Sequence, residues 1–170
     1  PSARYAPVAE EADAGCALDE QRWLCGEHAR RRAGEVPRRG VTSAKSWLSY
    51  AQVDRRAAIL PWRLAGDPNA DGGEDDAPRI SPVRAAELVL SQVRHAWERA
   101  YPNQRLKDQA VVLTVPASFD AVARQLTVEA ARAQGREVRL LEEPQAAFYD
   151  LWRLGGDDSL AQVVRDGRGL

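Results

Sequence analysis

The sequence predicts an α/β fold in which the strands of a parallel sheet alternate with helices. Residues 111–115, VVLTV, are an uninterrupted apolar run, which is typical of a strand covered by helices on both faces. Residues 138–141, VRLL, are a second, shorter run and predict another strand. Between the two runs, apolar side chains recur every three or four positions, as in an amphipathic helix. This order predicts two adjacent parallel strands joined by a right-handed helical crossover.

Turn-forming residues mark the ends of these elements. Pro116 closes the first strand, and Gly135 is the usual stop signal for the helix that follows it. Pro144 suits the first turn of a second helix, because a missing N–H costs nothing there, so we expect a helix over residues 145–154. Two carboxylates, the second of them Glu143, fall at the carboxyl end of the second strand. Open α/β sheets bind their ligands at this edge.

The N-terminal part of the chain predicts shorter elements of mixed type. Residues 1–8 and 21–25 predict short strands, and an arginine-rich helix follows the second of them. Thr42 or Ser43 can supply a capping hydroxyl for a helix that contains Lys45. A lysine at such a position is ordinarily a solvated side chain, so this segment alone gives Lys45 no role.

The middle of the chain predicts an extended piece, a loop and a long helix. Residues 57–62 predict a buried extended segment, and residues 66–78, which are almost all polar or turn-forming, predict a mobile surface loop. Ser81 followed by Pro82 predicts a helix start, and the helix should continue to about Tyr101. Its apolar stripe, which we expect to face the core, consists of Ala86, Leu90, Val93, Trp97 and Ala100.

Composition argues against two classes of partner. The formal net charge is −1 with 29% charged residues, so we expect neither nucleic acid nor an anionic membrane as a partner. No apolar run approaches the ~20 residues of a transmembrane helix, and no signal-peptide pattern opens the chain, so a cytoplasmic protein is expected. The chain has no methionine, begins at Pro1 and ends at Leu170, and we therefore expect it to be a segment of a longer protein.

Three motifs resemble one family in both order and spacing. They are TVPASF at residues 114–119, the pair Arg124 and Gln125, and LLEEPQAA at residues 140–147. These motifs resemble the nucleotide-binding domain of the DnaK-type heat shock protein 70 chaperones, and SAKSWL at residues 43–48 is similar to a helix of the same domain. The resemblance implies an actin-like ATPase fold: two lobes, each built on a ribonuclease-H-like sheet, with ATP and Mg²⁺ bound between them.

The same resemblance implies how the chain is divided. Residues 1–103 would form the peripheral α+β subdomain of the first lobe, and residues 104–170 a truncated part of its central βαβα subdomain. The phosphate-binding loops of the family lie outside this stretch. The intact parent is therefore expected to hydrolyse ATP, whereas the 170-residue segment alone is expected to be inactive and to fold poorly, with a helix face carrying Leu126 and Ala130 left uncovered.

The resemblance also implies roles for individual residues. Lys45 matches the lysine that contacts the γ-phosphate and orients the attacking water, and Glu143 matches the glutamate that contacts Mg²⁺ through water. These roles suit the chemistry, because phosphoryl transfer needs positioned positive charge and Mg²⁺ prefers carboxylate oxygens and water. Pro116 and Arg124 match residues that couple the nucleotide state to the substrate-binding domain, although a strand terminator and a surface arginine explain them equally. Arg139 matches a contact with J-domain co-chaperones.

Departures from the family pattern indicate a divergent bacterial relative. Glu142 stands where the family has asparagine and Gln145 where it has threonine, which adds negative charge beside the predicted J-domain surface. The resemblance implies client proteins bound through a domain outside this segment, a J-domain co-chaperone and a nucleotide exchange factor. Two alternatives stay open: a catalytically inactive interaction module with an actin-like fold, and an actin-fold sugar kinase.

Overall fold

The computed structural model describes residues 2–8, 23–62, 77–135 and 137–165, with side chains as far as residue 155, and these residues form a mixed α/β fold with two separate sheets. In chain order the elements are β1 (Arg4–Tyr5), β2 (Leu24–Cys25), α1 (Gly26–Glu35), β3 (Gly40–Val41), α2 (Ala44–Ser49), α3 (Pro82–Ala100), β4 (Val112–Val115), α4 (Ala121–Ala133), β5 (Arg139–Glu142) and α5 (Glu143–Arg165). Short 3₁₀ helices occur at Pro37–Arg39 and Leu106–Asp108. None of the described helices is long and apolar enough to cross a bilayer.

The second sheet is the predicted parallel pair. Strand β4 pairs with β5 in a register that places Val112 opposite Arg139 and Val115 opposite Glu142, and α4 connects the two strands. The prediction of adjacent parallel strands joined by a helix is confirmed. Gly135 has a φ of 71° just beyond α4, a left-handed conformation that glycine adopts without steric cost, which explains why the helix ends there.

Helix α5 is longer than the sequence suggested. The predicted span was 145–154, whereas the helix begins at Glu143 and continues to Arg165. Pro144 lies in its first turn, as expected. Gly155 and Gly156 lie inside this helix, which is possible because a glycine in a helix costs only about 1 kcal/mol relative to alanine.

The first sheet is small and antiparallel, with strand order β2-β1-β3. The predicted strands at residues 1–8 and 21–25 are reduced to two residues each, and residues 1, 21 and 22 lie outside the described part of the chain. Tyr5 and Leu24 are buried with α1 in one cluster. Helix α1 lies so close to β3 that a Cβ atom on Gly40 would come within 2.3 Å of the Cβ atom of Ala33. Only glycine fits at this position.

Helix α3 separates two apolar cores. The first core lies towards the antiparallel sheet and includes Val41, Leu60, Ala85 and Leu88. The second core lies towards the parallel pair; its buried members are Leu48, Val83, Val115, Phe119, Ala123, Leu126 and Ala130. The buried face of α4, with Leu126 and Ala130, is therefore covered, and the expectation that it would be exposed is wrong. Helix α3 supplies the cover.

The start of α3 was predicted correctly and its buried stripe only in part: Ala86 and Leu90 pack against the second core, whereas Val93 and Ala100 are exposed. The Ser81 hydroxyl accepts a hydrogen bond from the backbone N–H of Arg84 at 3.0 Å, with Pro82 in the first turn. Val93 is 54% exposed, and Trp97 donates its indole N–H to the carbonyl of Gln104 after the helix. Because α3 packs against a core on each side, its buried surface is wider than one stripe; its buried members are Pro82, Val83, Ala85, Leu88 and Ser91.

An arginine occupies the centre of the antiparallel sheet. Arg4 on β1 is fully buried, and its guanidinium donates to the carbonyl of Leu88 at 2.6 Å and to the side chain of Gln92 at 2.8 Å, both on α3. These bonds connect the sheet to α3 through polar groups, because a buried charge requires hydrogen-bond partners. The sequence carried no local signal that this arginine would be internal.

Three further predictions have mixed outcomes. Residues 57–62 do contain an extended segment, since Leu60 forms an antiparallel bridge with Ile80. Of the predicted mobile loop at residues 66–78, residues 66–76 lie outside the part of the chain that the structure describes. Ser43 is the N-cap of α2 as predicted, but it has a φ of 56° and its side chain makes no capping hydrogen bond, so the predicted capping hydroxyl is wrong.

The parallel pair is covered on one face by the described residues. Val112 is 56% exposed and Thr114 is also exposed, whereas Val115 is buried in the second core. The prediction that helices cover both faces of this strand is therefore wrong for the residues that the structure describes. The apolar pattern of β4 nevertheless remains that of a strand with two covered faces.

Candidate functional site

Lys45 and Glu143 meet although they lie 98 positions apart in the sequence. The Nζ atom of Lys45 donates to Oε1 of Glu143, and the two groups form a salt bridge. Both side chains are about half exposed, at 50% and 45%. The two residues that the sequence singled out for phosphate and Mg²⁺ thus lie side by side on an accessible surface.

Each partner is placed by a different part of the fold. Lys45 lies on α2, where Ala44 and Leu48 are buried in the first and second cores respectively, so the lysine is left facing solvent. Glu143 is the first residue of α5 and follows directly after β5. The amino end of a helix favours a negative charge, which suits a carboxylate at this position.

The chemistry of this pair suits ATP and Mg²⁺. A half-exposed ion pair contributes little to stability, because water screens its charges. Its ammonium and carboxylate groups are therefore available to other partners. A lysine ammonium is a compact charge suited to phosphate oxygens, and a carboxylate oxygen suits the water shell of Mg²⁺. The donor set of Lys45 and Glu143 thus fits both groups.

Pro116 and Arg124 both lie on the connection from β4 to β5. Pro116 follows β4 directly, and its carbonyl accepts from the N–H of Phe119 at 3.1 Å. Arg124 on α4 donates from Nε to the carbonyl of Phe119 at 3.0 Å and from Nη2 to Glu142 at 2.7 Å. Since Glu142 immediately precedes Glu143, a chain of contacts connects α4 to the Lys45–Glu143 pair.

Arg139 lies at the other end of β5. It is exposed and is three residues before Glu142, or about 10 Å along the strand. Its backbone N–H donates to the carbonyl of Val111 at 3.0 Å. The structure therefore brings Lys45, Glu143 and Arg124 to one end of the parallel pair and leaves Arg139 at the opposite end.

The sequence missed a second ion pair, Arg55–Asp120, which joins the two halves of the described chain. The guanidinium of Arg55 donates two parallel hydrogen bonds to the Asp120 carboxylate, at 2.9 and 2.7 Å. The Arg55 side chain is only 7% exposed. Its hydrogen bond lowers the pKa of Asp120 to about 2, with help from the backbone N–H of Ala123, and the same contact raises the pKa of Arg55.

Part of this pair had a detectable signal. Asp120 stands immediately before an apolar-periodic segment, which is the pattern of an N-cap, and it does accept the N–H of Ala123 at 2.6 Å. Arg55 lies 65 positions earlier in an irregular segment. Nothing in its local sequence distinguishes it from a surface arginine.

A neighbouring exposed pair strengthens the same contact between segments. Arg56 donates to Glu129 on α4 at 2.5 Å, and this bond, together with one from Gln125, lowers the pKa of Glu129. A cleft of about 400 Å³ lies between residues 51–56 and α4. Arg55 and Arg56 thus connect the segment after α2 to α4 at two points.

Comparisons with known proteins identify the same family as the sequence motifs TVPASF and LLEEPQAA. The family model described as Hsp70 protein matches residues 14–150. Chaperone protein HscA of Pectobacterium atrosepticum is 36% identical over 161 residues, which cover 85% of this chain and 26% of that protein. The HscA homolog of Methylococcus capsulatus is 31% identical, covering 85% and 25%, and HscA of Cronobacter sakazakii is 36% identical, covering 88% and 24%.

The chain spans about a quarter of the length of these relatives. Within that span the match includes both the α2 region and the parallel pair, so it covers the two parts of the fold that meet at Lys45 and Glu143. This chain belongs to the Hsp70 family.

Proposed function

We propose that the parent protein is an ATP-binding and ATP-hydrolysing chaperone of the Hsp70 type, and that this chain is part of the first lobe of its nucleotide-binding domain. In this proposal residues 1–103 are the peripheral subdomain of an actin-like ATPase fold and residues 104–170 are part of the central subdomain. The family match and the mixed α/β fold support it. The segment alone is proposed to be inactive.

The contact between Lys45 and Glu143 is the observation that carries the proposal. The resemblance assigns both side chains to one nucleotide site. They are 98 positions apart in the sequence, yet they form a salt bridge with each other. They also lie at the carboxyl end of β5, the edge at which α/β sheets bind ligands.

In the proposed mechanism these side chains act mainly by position and charge. Lys45 would contact the γ-phosphate and orient the attacking water, and Glu143 would accept hydrogen bonds from water bound to Mg²⁺. Bound Mg²⁺ supplies positive charge that offsets the negative charge on the phosphate oxygens. With nucleotide bound, the ammonium of Lys45 exchanges its carboxylate partner for phosphate oxygens, which is feasible because the pair is half exposed.

The remaining assignments concern partners of the parent. We assign Pro116 and Arg124 to coupling between nucleotide state and client binding, and Arg139 to contact with a J-domain co-chaperone. The Arg124–Glu142 bond supports the first assignment, because it connects α4 to the residue that precedes Glu143. Clients bind through a domain outside this chain, a nucleotide exchange factor acts on the parent, and the protein works in the cytoplasm.

The family match favours this function over an actin-fold sugar kinase. A catalytically inactive interaction module of the same family would share the match and the fold. Hydrolysis by the intact parent distinguishes the module from the chaperone.

The decisive experiment is Lys45→Ala in the full-length parent. We expect single-turnover ATP hydrolysis to slow about 100-fold or more while ATP still binds, because removal of one positioned charge in phosphoryl transfer typically has an effect of this size. Rapid-quench measurement of the hydrolysis rate and calorimetric titration of Mg-ATP check the two halves separately.

Lys107→Ala is the matched control, because Lys107 is an exposed lysine in a 3₁₀ helix away from the site. Its hydrolysis rate should equal that of the unmodified parent. Equal rates for Lys45→Ala and Lys107→Ala would show that Lys45 has no catalytic role, and a parent that does not hydrolyse ATP at all would favour the inactive module.

A further inference from the structure

The orientation of Lys45 must come from outside its own helix. Helix α2 is only six residues long, and short helices are unstable without tertiary contacts. Its N-cap residue, Ser43, makes no side-chain capping bond. Ala44 and Leu48 anchor the helix by apolar packing, which fixes its distance from the cores but is not directional. A directional constraint is needed to hold the ammonium towards Glu143.

Arg55 supplies directional contacts at the end of this helix. Its Nε donates to the carbonyl of Tyr50, the C-cap residue of α2, at 3.4 Å. Its backbone carbonyl accepts from the N–H of Val83 in the first turn of α3, also at 3.4 Å. Its guanidinium forms the two-point contact with Asp120. One residue therefore contacts three elements: its buried side chain contacts the end of α2 and the start of α4, and its backbone carbonyl contacts the start of α3.

Asp120 lies on the element that leads along the chain to Glu143. It is the N-cap of α4, the helix that leads directly into β5 and Glu143, and it follows the turn after β4. A displacement of α2 relative to Asp120 would therefore change the separation of Lys45 from Glu143. Two parallel N–H···O bonds fix both distance and angle, which a single-point contact cannot do.

We propose that Arg55 and Asp120 are positioning residues for ATP hydrolysis: their two-point contact holds α2 against α4 so that the Lys45 ammonium stays aligned with Glu143. This inference rests on the proposed function. Neither residue touches the reacting groups. A misplacement of about 1 Å is enough to slow an enzymatic step as much as 100-fold, so a contact of this kind matters for rate even far from the reacting bond.

The experiment uses Arg55→Lys and Asp120→Asn in the full-length parent. Lysine keeps the charge but loses the fork geometry, and asparagine keeps the helix cap while losing the charge. We expect each variant to slow single-turnover hydrolysis about tenfold or more, with ATP affinity changed less than about threefold. Arg30→Lys is the matched control, because the Arg30 guanidinium also contacts a carboxylate, that of Glu27, but both side chains are exposed on α1 and do not connect α2 to α4; its rate should be unchanged.

A double-mutant cycle separates positioning of Lys45 from a general loss of structure. In a Lys45→Ala background, Arg55→Lys should slow hydrolysis by less than about twofold, because the group that it positions is gone. Equal slowing in both backgrounds would overturn the proposal, as would an unchanged rate for Arg55→Lys and Asp120→Asn in the native background. If Arg55→Lys does not fold, Asp120→Asn is used in the same cycle.

The same measurements distinguish failure of the positioning role of Arg55 and Asp120 from failure of the proposed catalytic role of Lys45. If Lys45→Ala alone leaves hydrolysis unchanged, the catalytic assignment of Lys45 fails and this inference fails with it. If Lys45→Ala slows hydrolysis but the Arg55 and Asp120 variants behave like Arg30→Lys, only the positioning role is wrong.

Discussion

The antiparallel sheet and the parallel pair differ in how well their strands are buried. The shorter strands of the antiparallel sheet are the more buried ones. Strands β1 to β3 have two residues each, yet Arg4, Tyr5, Leu24 and Val41 are all almost fully buried. Strands β4 and β5 are twice as long, and of their side chains only Val115 is buried. Strand burial in this chain is therefore set by the elements that pack on each face, and not by the length of the strands.

The cause lies in the arrangement of the helices. The antiparallel sheet has α1 on one side, where Arg32 also lies over the ring of Tyr5, and α3 on the other, where Arg4 binds the carbonyl of Leu88. The parallel pair has α3 and α4 on one side only within the described residues. An apolar sequence pattern thus indicates which faces a strand can bury, whereas the packed helices decide which faces it does bury.

The largest expected effect compares one leucine from each sheet. Leu24→Ala should lower the unfolding free energy of the parent by about 2–5 kcal/mol, because Leu24 is fully buried in a packed cluster. Leu140→Ala on β5 should lower it by about 1–2 kcal/mol, because Leu140 is only partly buried against the second core. Chemical denaturation measures both. Equal losses would break the comparison and show that the parallel pair is fully covered in the parent.

The second prediction tests the ion pair that connects the two regions. Folding lowers the pKa of Asp120 from 3.8 to about 2. The pairing with Arg55 therefore stabilises the fold fully at pH values above 3.8, and this stabilisation is lost as the pH falls through the pKa of the folded state, about 2. The difference in unfolding midpoint between the parent and Asp120→Asn should be constant above about pH 5 and should shrink between about pH 4 and 2. Thermal unfolding across this range measures it.

Asp108→Asn is the control for this series, because Asp108 is exposed in a 3₁₀ helix. Its midpoint should follow that of the parent at every pH. A gap between the parent and Asp120→Asn that does not change with pH would mean that the Arg55–Asp120 pair does not stabilise the junction of the two regions.

The smallest expected effect contrasts two serines that both precede a helix. Ser81→Ala should cost about 1 kcal/mol, because the Ser81 hydroxyl caps α3. Ser43→Ala should change stability by less than about 0.5 kcal/mol, because the Ser43 side chain makes no capping bond to α2. Urea denaturation checks both variants. A cost at Ser43 as large as that at Ser81 would show that α2 is capped in solution after all.

Local patterns in the sequence were sufficient for the elements whose signals are themselves local. The Ser81–Pro82 start of α3, the glycine stop after α4 and the strand–helix–strand order of the parallel pair were all predicted, since each depends on residues within a few positions. The stripe of α3 was predicted only in part for the opposite reason. Its orientation depends on two cores formed by distant segments, and periodicity does not show which of several apolar positions will be used.

The candidate site divides in the same way. Lys45 and Glu143 were identified through a resemblance, and no periodicity in either segment indicates that they meet. Arg55 and Arg4 were missed because arginine is usually exposed, and an internal arginine is recognisable only when its acceptors are known. Asp120 was within reach as a helix cap, but its partner was not. Pairings across 65 or more positions are a property of the folded chain.

The close approach of α1 to β3 has a consequence for which sequences can share this fold. Any side chain at position 40 would place its Cβ 2.3 Å from the Cβ of Ala33, and replacing Ala33 by glycine would not be enough, because the Ala33 Cα would still lie 2.9 Å away. No compensating exchange at the two positions is therefore available without moving the helix backbone. We expect natural variants that keep this helix-to-strand distance to retain glycine at position 40, whereas Gly34, which has open space around it, is free to vary.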